Sequence, residues 1–395
     1  MRAHLLRPAA AILLALLIAC ASDPRSANTT AVRDSAGVRI VENLAPSIEP
    51  TWRLSDLPSL SIGTLDGLAP YSFNQVSSVM RLGDGRLLVA QEAELRYFDA
   101  EGRHLHTAGG AGQGPGEFGR IRSVRPCGAG LIATDLLVLR VSLLDMEGGF
   151  IRAVDAPEPV AGALPDVVRC LDGEPVYSVW TRGSGERATV SRDPLSLVRF
   201  VGGGAHDTLA VVPGLERFDG LTRPFGRTTV YALEDTVLHL ADTGECEIRS
   251  YDLDGELRRI VRCAAEGGRV TDADVAAIRE QYTAGVPPRM LETEILPRLN
   301  AVPFPETKPT VADLRADAVG RLWLRPFDQP SDDPATRDGP TSWWIFDTDG
   351  SYLGTIAMPA GLTIHHIGAN EILGVWRDSM EIEYVHVYEL VGPRG

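Results

Sequence analysis

The chain has 395 residues, enough for two or three average domains or for one large repeat architecture. Asp and Glu number 53 against 38 Lys and Arg, and the formal net charge of −15 argues against a surface for nucleic acid, which requires clustered positive charge. The hydrophobic share of 44% and the charged share of 23% are ordinary globular values and exclude wholesale disorder.

The N-terminus has the composition of a secretory signal. Two arginines precede the apolar run 9–19, which is too short to span a bilayer. The run ends Leu17-Ile18-Ala19-Cys20 and matches the bacterial lipobox, in which the cysteine is lipidated and becomes the mature N-terminus. We therefore expect residues 1–19 to be a lipoprotein signal peptide and residues 20–33 to be a flexible tether. An ordinary signal with a chance cysteine is the alternative.

Lipidation of Cys20 would export the protein and anchor it in a membrane, where it would face the periplasm or the cell surface. By the sorting convention of bacterial lipoproteins, the absence of Asp directly after Cys20 favours the outer membrane.

A short motif of an apolar residue, Asp, any residue, an acid and Gly recurs along the chain. Its Asp can accept hydrogen bonds from turn amides, and its Gly can take the positive φ that closes a tight hairpin. We therefore interpret the motif as a recurring turn between strands and not as a calcium-binding loop. The four copies are Phe98-Asp99-Ala100-Glu101-Gly102, Leu144-Asp145-Met146-Glu147-Gly148, Tyr251-Asp252-Leu253-Asp254-Gly255 and Phe346-Asp347-Thr348-Asp349-Gly350.

A second repetition fixes the size of the unit. Pro70, Phe73 and Ser78 recur 45 residues later as Pro115, Phe118 and Ser123. Four short antiparallel strands in each 40–50 residues are typical of a β-propeller. Six units are predicted, and their inner strands begin near Val76, Ile121, Val167, Thr228, Val311 and Leu362.

The first and last units define how the ring closes. The sixth unit ends at Val391 with only three strands, so an N-terminal strand must supply the fourth and remove the exposed sheet edges. We favour Ser59 to Gly63 for that strand, and Val38 to Glu42 is the competitor or an additional outer strand. The third unit is degenerate, with Asp193-Pro194 in the place of its hairpin motif. The predicted fold over residues 34–395 is an all-β, six-bladed propeller.

Several motifs resemble a known family. The segment Gly109 to Phe118 (GGAGQGPGEF) resembles the loop between blades of NHL-type repeats, and Asp84-Gly85-Arg86 is similar to the turn between the first two strands of such blades. Together with Asp34 to Asn43 and Trp376-Arg377-Asp378, these motifs make the chain resemble the six-bladed β-propeller lipoproteins of environmental bacteria. The resemblance implies the fold and no established activity.

One segment departs from the repeat. Residues 264–309 are too long for a connection between blades, and Thr271-Asp272-Ala273-Asp274 supplies the N-cap and first-turn acids of a helix through about Tyr282. We expect a second helix over 289–299, so that a helical insert separates blades 4 and 5. The segments 202–225 and 326–340 are predicted as long loops on the same face of the ring, and loops on a rigid scaffold usually carry function.

Candidate ligand-binding residues stand where the chain enters the inner strands. Gln75, Arg120 and Arg227 are predicted to form part of a polar ring at the mouth of the central channel, where two guanidiniums would suit an anion or a hydroxyl-rich ligand. The alternative is that each arginine pairs with an acid of a neighbouring loop. His365 or its neighbour His366 can point into the channel, and Trp376 is a candidate stacking platform.

The cysteines after Cys20 suggest disulfides, since an exported protein meets an oxidising compartment. None lies in a CxxC motif or in metal-ligand spacing with a His. The hairpin around Leu253 to Glu256 places Cys246 opposite Cys263, at a Cβ separation of about 4.5–5.5 Å that a disulfide can bridge. Cys127 and Cys170 hold matching positions on adjacent inner strands and are a second candidate pair.

Two classes of function remain open. We favour a lipid-anchored envelope propeller that acts as a non-catalytic binding or scaffolding module, holding a peptide, glycan or protein through its loop-rich face. The alternative is a metal-dependent, lactonase-like hydrolase or lyase with its site in the central channel. No nucleophile motif and no periodic set of histidines indicates catalysis, and the sequence indicates no cofactor.

The anchor yields a direct test. Because the lipid would be attached through the thiol of Cys20, the substitution Cys20→Ser should release the protein from the membrane fraction or block removal of the signal peptide. Fractionation of cells and the mass of the protein's N-terminus measure both effects. An unchanged distribution between membrane and soluble fractions would show that the protein is not a lipoprotein.

Overall fold

The computed structural model describes residues 30–393, apart from 48, 66, 160–164, 183–188, 202–203 and 328–340. The predicted signal peptide 1–19, Cys20 and most of the predicted tether therefore lie outside the described residues. Residues 31–33, assigned to the tether from sequence, instead begin the first strand. The N-terminal strands are β1 (Ala31–Ser35), β2 (Val38–Asn43), β3 (Arg53–Leu54) and β4 (Leu60–Ile62).

Six antiparallel sheets follow in chain order and confirm the six-bladed β-propeller. Blades 1, 2 and 4 each contribute four strands of their own that pair in sequence order, and the sheet of blade 4 is extended to six strands by β1 and β2. Their strands are β5 (Val76–Arg81), β6 (Leu87–Gln91), β7 (Glu94–Phe98) and β8 (His104–Gly109) in blade 1, β9 (Ile121–Cys127), β10 (Gly130–Asp135), β11 (Arg140–Leu144) and β12 (Phe150–Val154) in blade 2, and β18 (Thr229–Glu234), β19 (Val237–Asp242), β20 (Glu247–Asp252) and β21 (Leu257–Cys263) in blade 4.

Blade 5 keeps the same four-stranded plan, and blades 3 and 6 vary it. Blade 3 has two unusually long strands, and blade 6 takes strands from the N-terminus. Their strands are β13 (Asp166–Leu171), β14 (Glu174–Trp180), β15 (Val190–Phe200), β16 (His206–Phe218) and β17 (Leu221–Thr222) in blade 3, β22 (Val311–Ala316), β23 (Leu322–Pro326), β24 (Ser342–Phe346) and β25 (Tyr352–Ala357) in blade 5, and β26 (Leu362–Ile367), β27 (Glu371–Arg377) and β28 (Glu383–Val391) in blade 6.

The N-terminal segment closes the ring as predicted. Strand β4 pairs antiparallel with β28, with Ile62 opposite Val385, and so supplies the fourth strand of blade 6. Strand β2 instead adds to the outside of blade 4, parallel to β21, and β1 folds back on it. The competitor segment is therefore an additional outer strand.

The hydrophobic core is divided among the interfaces between blades. Each of the six clusters of buried apolar residues joins two neighbouring blades, because the alternation of a β-strand gives every sheet two apolar faces. Between blades 1 and 2, for example, Leu95 packs with Leu131, and both are fully buried.

The repeated Asp motif is a hairpin turn. Asp99 Oδ1 accepts from the backbone N–H of Glu101 at 3.1 Å and of Arg103 at 2.8 Å, and Asp145 and Asp252 make the same two bonds in their blades. Asp347 departs from the pattern, because Asp349 accepts there from Ser351. The glycine of every copy has a positive φ, from 80° to 93°.

The third blade corrects two expectations. Asp193-Pro194 is not a turn but lies within β15, and the hairpin of this blade falls between Phe200 and His206. The segment 202–225 is not a long loop, because most of it is strand β16. The long hairpin satisfies its backbone groups by pairing Val190 with Phe218, well beyond the end of β14.

The insert between blades 4 and 5 is helical, as predicted. Helix α1 (Asp272–Thr283) begins with a capping box, in which Thr271 accepts from the N–H of Asp274 and the Asp274 carboxylate accepts from the N–H of Thr271. A second helical run follows over Pro288–Met290, Leu291–Ile295 and Leu296–Ala301. In the part of the chain that the structure describes, no helix is long and apolar enough to cross a bilayer.

The described residues form two disulfides. Cys246 is bonded to Cys263 across β20 and β21, with a Cα–Cα distance of 5.4 Å. Cys127 is bonded to Cys170, 5.0 Å apart at Cα, and links the inner strands of blades 2 and 3. The second pair forms although those strands share no ladder of hydrogen bonds, because inner strands converge around the axis of the ring.

The two bonds should differ in their effect on stability. Cys127–Cys170 spans 43 residues and Cys246–Cys263 spans 17, and chain entropy predicts losses of about 4 and about 3 kcal/mol on removal. We expect paired Cys→Ser variants to lower the free energy of unfolding in that order, as measured in denaturant. Peptide mapping of the non-reduced protein checks the pairing, and free thiols at Cys246 and Cys263 would show that the hairpin register is wrong.

Candidate functional site

One face of the ring carries nearly all of the elaboration. Because the four strands of a blade alternate in direction, connections from fourth to first strands and from second to third strands emerge on the same side. We call this side the loop-rich face, and its described connections include 67–75, 110–120, 136–139, 219–228, 264–310, 358–361 and 378–382. The hairpin of blade 3 also projects here, since 190–194 and 213–218 extend past β14.

A cavity of about 290 Å³ opens on this face between the blade 3 hairpin, the entry to blade 4 and the end of the insert. Charged and polar groups dominate its wall, so it suits a polar group of a ligand better than an apolar one. The lining residues are Glu216, Arg223, Phe225, Arg227, Gly244, Pro305, Glu306, Thr307 and Lys308.

Glu216 organises this cavity. Its side chain is buried at 4% exposure, and its carboxylate accepts from Arg223 at 2.9 Å and from Arg227 Nε at 3.1 Å. Burial alone would raise the pKa of Glu216, but the two arginines outweigh it and hold the pKa below its ordinary value. The carboxylate thus stays ionised and fixes both guanidiniums against one wall of the cavity.

Arg227 was singled out from sequence, and the structure shows its acid partner. Its side chain remains 52% exposed despite the bond to Glu216, and it lines the cavity. No local motif marked Glu216 or Arg223, which lie on the blade 3 hairpin and the turn after it. Only their position beside Arg227 in the folded chain identifies them.

Lys308 brings the insert to the same cavity. It is the only lysine of the chain, and its Nζ donates to Asp274 at 2.8 Å and lies 5.9 Å from the centre of the Phe225 ring. Asp274 belongs to the capping box of α1, so the lysine ties that helix to the entry of blade 4. The cavity wall is therefore held by ion pairs from three separate segments.

Gln75 and Arg120 lie on the same face but are not joined to Arg227. Both side chains are exposed, and no hydrogen bond or ion pair links any two of these three residues in the described part of the chain. The backbone N–H of Arg120 donates to buried Asp135, which also accepts from Gly119, Leu137 and Val138. The entry to blade 2 is therefore held by Asp135 and not by the arginine side chain.

His365 lies on the innermost strand of blade 6, at a bulge opposite Gly374 and Leu373. Burial, together with the nearby positive charges of Arg315, Arg377 and Arg125, lowers the pKa of His365 to about 4. The imidazole is therefore neutral at neutral pH. Among the described residues, no three His, Cys, Asp or Glu side chains come together in a group that could hold a metal ion.

Trp376 is half-buried at the end of β27. Its indole N–H donates to the carbonyl of Ala360 at 3.1 Å, and His386 stacks on its ring at 5.2 Å between centroids. One face of the ring is therefore covered by the protein's own side chain. Trp343 is buried between blades 5 and 6 and is not accessible for stacking with a ligand.

Comparison with known proteins shows the fold and no family. No family model matches the chain, and no curated protein matches its sequence. A member of the DUF4221 family from Bacteroides vulgatus aligns with a TM-score of 0.54 and 12% identity over 87% of this chain and 99% of its own. A Bacteroides fragilis protein named as an exported protein aligns with a TM-score of 0.50 and 12% identity over 90% of this chain and 100% of its own.

The role of Glu216 can be tested through pH. The substitution Glu216→Gln weakens the two charge-assisted hydrogen bonds to Arg223 and Arg227, and it should lower the free energy of unfolding by about 1–3 kcal/mol at pH 7. Because the pKa of Glu216 is depressed in the folded protein, this contribution is present above its ordinary value of 4.5 and is lost as the pH falls through the folded value.

Denaturant unfolding of both proteins from pH 7 to pH 3 measures the effect. The exposed carboxylate of Glu101, 3.3 Å from Arg103, provides the control, and Glu101→Gln should change the stability little at any pH. A difference between wild type and Glu216→Gln that does not shrink in acid would contradict the assignment of the buried carboxylate.

Proposed function

We propose that this protein is a lipid-anchored envelope propeller of the NHL-like type that acts as a non-catalytic binding or scaffolding module. Its partner would be a protein or a peptide, held on the loop-rich face. The fold shared with an exported protein of similar architecture supports the general class. The lipid anchor rests on the lipobox that ends at Cys20.

The NHL-like character is supported by the loop between blades 1 and 2. Glu117 folds back in this loop and accepts from the N–H of Gly114 at 2.9 Å, while Gly109, Gly110 and Gly116 adopt positive φ. Phe118 at the end of the loop is fully buried between the blades. The glycines thus let the loop turn tightly enough for the Phe118 side chain to pack between the two blades.

Exposed apolar side chains on the loop-rich face carry the proposal. Large apolar residues are costly to leave in water, and a set of them on one face of a soluble domain is typical of a surface that docks a protein. They come from blades 1, 2, 3 and 6 and from the insert. They include Leu68, Leu137, Leu139, Val190, Tyr282, Met290 and Met380, whereas Val201 and Val319 stand on the turns of the opposite face.

The cavity under the insert adds charge to that apolar surface. Arg227, Arg223 and Lys308 are held by carboxylates with part of the Arg227 guanidinium open to solvent. Charged groups at the edge of an apolar surface set the orientation and specificity of a partner more than its affinity. A peptide or protein with an acidic group next to an apolar segment would fit both features.

Site-specific photo-crosslinking in the native host cell tests the face. A photoreactive residue in place of Leu137 or Tyr282 should give the same adduct of defined mass, because both positions would touch one partner. Val201 and Val319, which are equally apolar and exposed on the opposite face, are matched controls and should give none. Adducts that form from Val201 and Val319 instead, or from no position, would overturn the proposal.

A further inference from the structure

The six inner strands, all within the described residues, carry five arginines, and one of them differs from the rest. Four have a carboxylate partner within hydrogen-bond distance. These pairs are Arg81–Glu371 at 2.5 Å, Arg122–Asp166 at 2.7 Å, Arg169–Glu234 at 2.9 Å and Arg315–Asp313 at 3.0 Å. Arg125, on β9, has none among the described residues, and its Nε donates to the backbone carbonyl of Val167 at 2.7 Å.

Arg125 lies in the lumen of the ring. Its side chain is exposed to solvent, yet the protein around it desolvates the guanidinium strongly enough to lower its pKa. An inner-strand side chain that enters a narrow channel open to solvent and enclosed by the other blades accounts for both observations. The guanidinium keeps its charge there, because arginine does not deprotonate in proteins.

Polar groups from three other blades surround this position. Arg315 of blade 5 interacts electrostatically with Arg125, and both arginines act on His365 of blade 6. Arg315 also donates to the carbonyl of Ile364 at 2.8 Å, directly before His365. Tyr231 of blade 4 lies close enough for its hydroxyl to interact electrostatically with Arg125. Guanidinium, phenol and imidazole groups can all donate hydrogen bonds.

The charges of the lumen leave a positive excess. Asp166 and Asp313 are the carboxylates on this part of the inner strands, and each is engaged by its own arginine. His365 is neutral, so it adds a donor and an acceptor without charge. Asp166 also attracts Arg125 electrostatically, but Arg122, Arg125 and Arg315 together outnumber these two carboxylates by one. One positive charge therefore remains without a hydrogen-bonded counter-charge in a region where an unpaired charge is costly.

We propose that the central channel binds a small free oxyanion, with Arg125 as its principal ligand. A carboxylate or phosphate group presents two oxygens that match the two parallel N–H groups of a guanidinium, and binding would supply the missing counter-charge. Arg315, Tyr231 and His365 interact electrostatically with Arg125 and would complete the donor set. This site shares no residue with the cavity under the insert and does not depend on a partner at the loop-rich face.

Calorimetric titration of the full chain tests the site with two separate probes, inorganic phosphate and acetate, each at ionic strength matched with chloride. We expect one site per chain for at least one probe, and the probe that binds identifies the oxyanion as phosphate-like or carboxylate-like. Arg125→Ala should weaken binding by about tenfold or more, since it removes a hydrogen bond from a charged group. Arg125→Lys should retain part of the affinity, because it keeps the charge and loses the planar fork.

Arg169→Ala is the matched control, because Arg169 also stands on an inner strand but is held by Glu234 and Asp235. The affinity of Arg169→Ala for the anion should stay within about twofold of that of wild type, because Arg169 is expected to act on the anion only through screened charge and not through a direct hydrogen bond. Thermal unfolding in chloride verifies folding, and the stability of Arg125→Ala should stay close to that of wild type, because loss of the hydrogen bond to Val167 and removal of an unpaired charge act in opposite directions. Failure of both anions to bind, or equal affinity in wild type and Arg125→Ala, would overturn the proposal.

Discussion

The pairing of β4 with β28 is the interaction on which the rest of the structure depends. Without it, β28 would expose most of its outer edge, because β3 pairs there only with Leu390 and Val391. Blade 6 would also lack the strand that carries Ile62 into the interface with blade 1. Each blade is stabilised mainly by its two neighbours, so a ring left open at one interface loses apolar burial on both sides of the gap. Closure from opposite ends of the chain makes six similar sheets one cooperative unit.

A closed ring also separates the places where polar chemistry can occur. The interfaces between blades are apolar and packed, so charged side chains are confined to the two faces, the outer rim and the lumen. On the loop-rich face, Glu216 holds Arg223 and Arg227 beside the insert. In the lumen, inner strands from different blades place Arg125 near Arg315 and His365. The scaffold thereby separates the polar groups of the loop-rich face from those of the lumen.

The residues of the two polar regions could be predicted only in part from the sequence. Arg227 could be singled out because Phe225-Gly226-Arg227 repeats the pattern of Phe118-Gly119-Arg120 at the entry to an inner strand. Its partner Glu216 could not, because blade 3 lacks the repeat motif and its long hairpin has no counterpart in the other blades. No sequence pattern marks Arg125 either. Among the described residues it differs from the other inner-strand arginines in having no carboxylate partner, which only the folded chain shows.

The sequence by itself determined the number of blades, the start of each inner strand, the closing strand and the helical insert, because turn chemistry and strand alternation are local and repeat with the blade. It also placed Cys246 opposite Cys263, since a hairpin register follows from the position of its turn. Only the tertiary structure decided the bond between Cys127 and Cys170, the salt bridges of Glu216 and the contents of the lumen. Those depend on how far apart residues of different blades lie around the axis, and no local pattern encodes that distance.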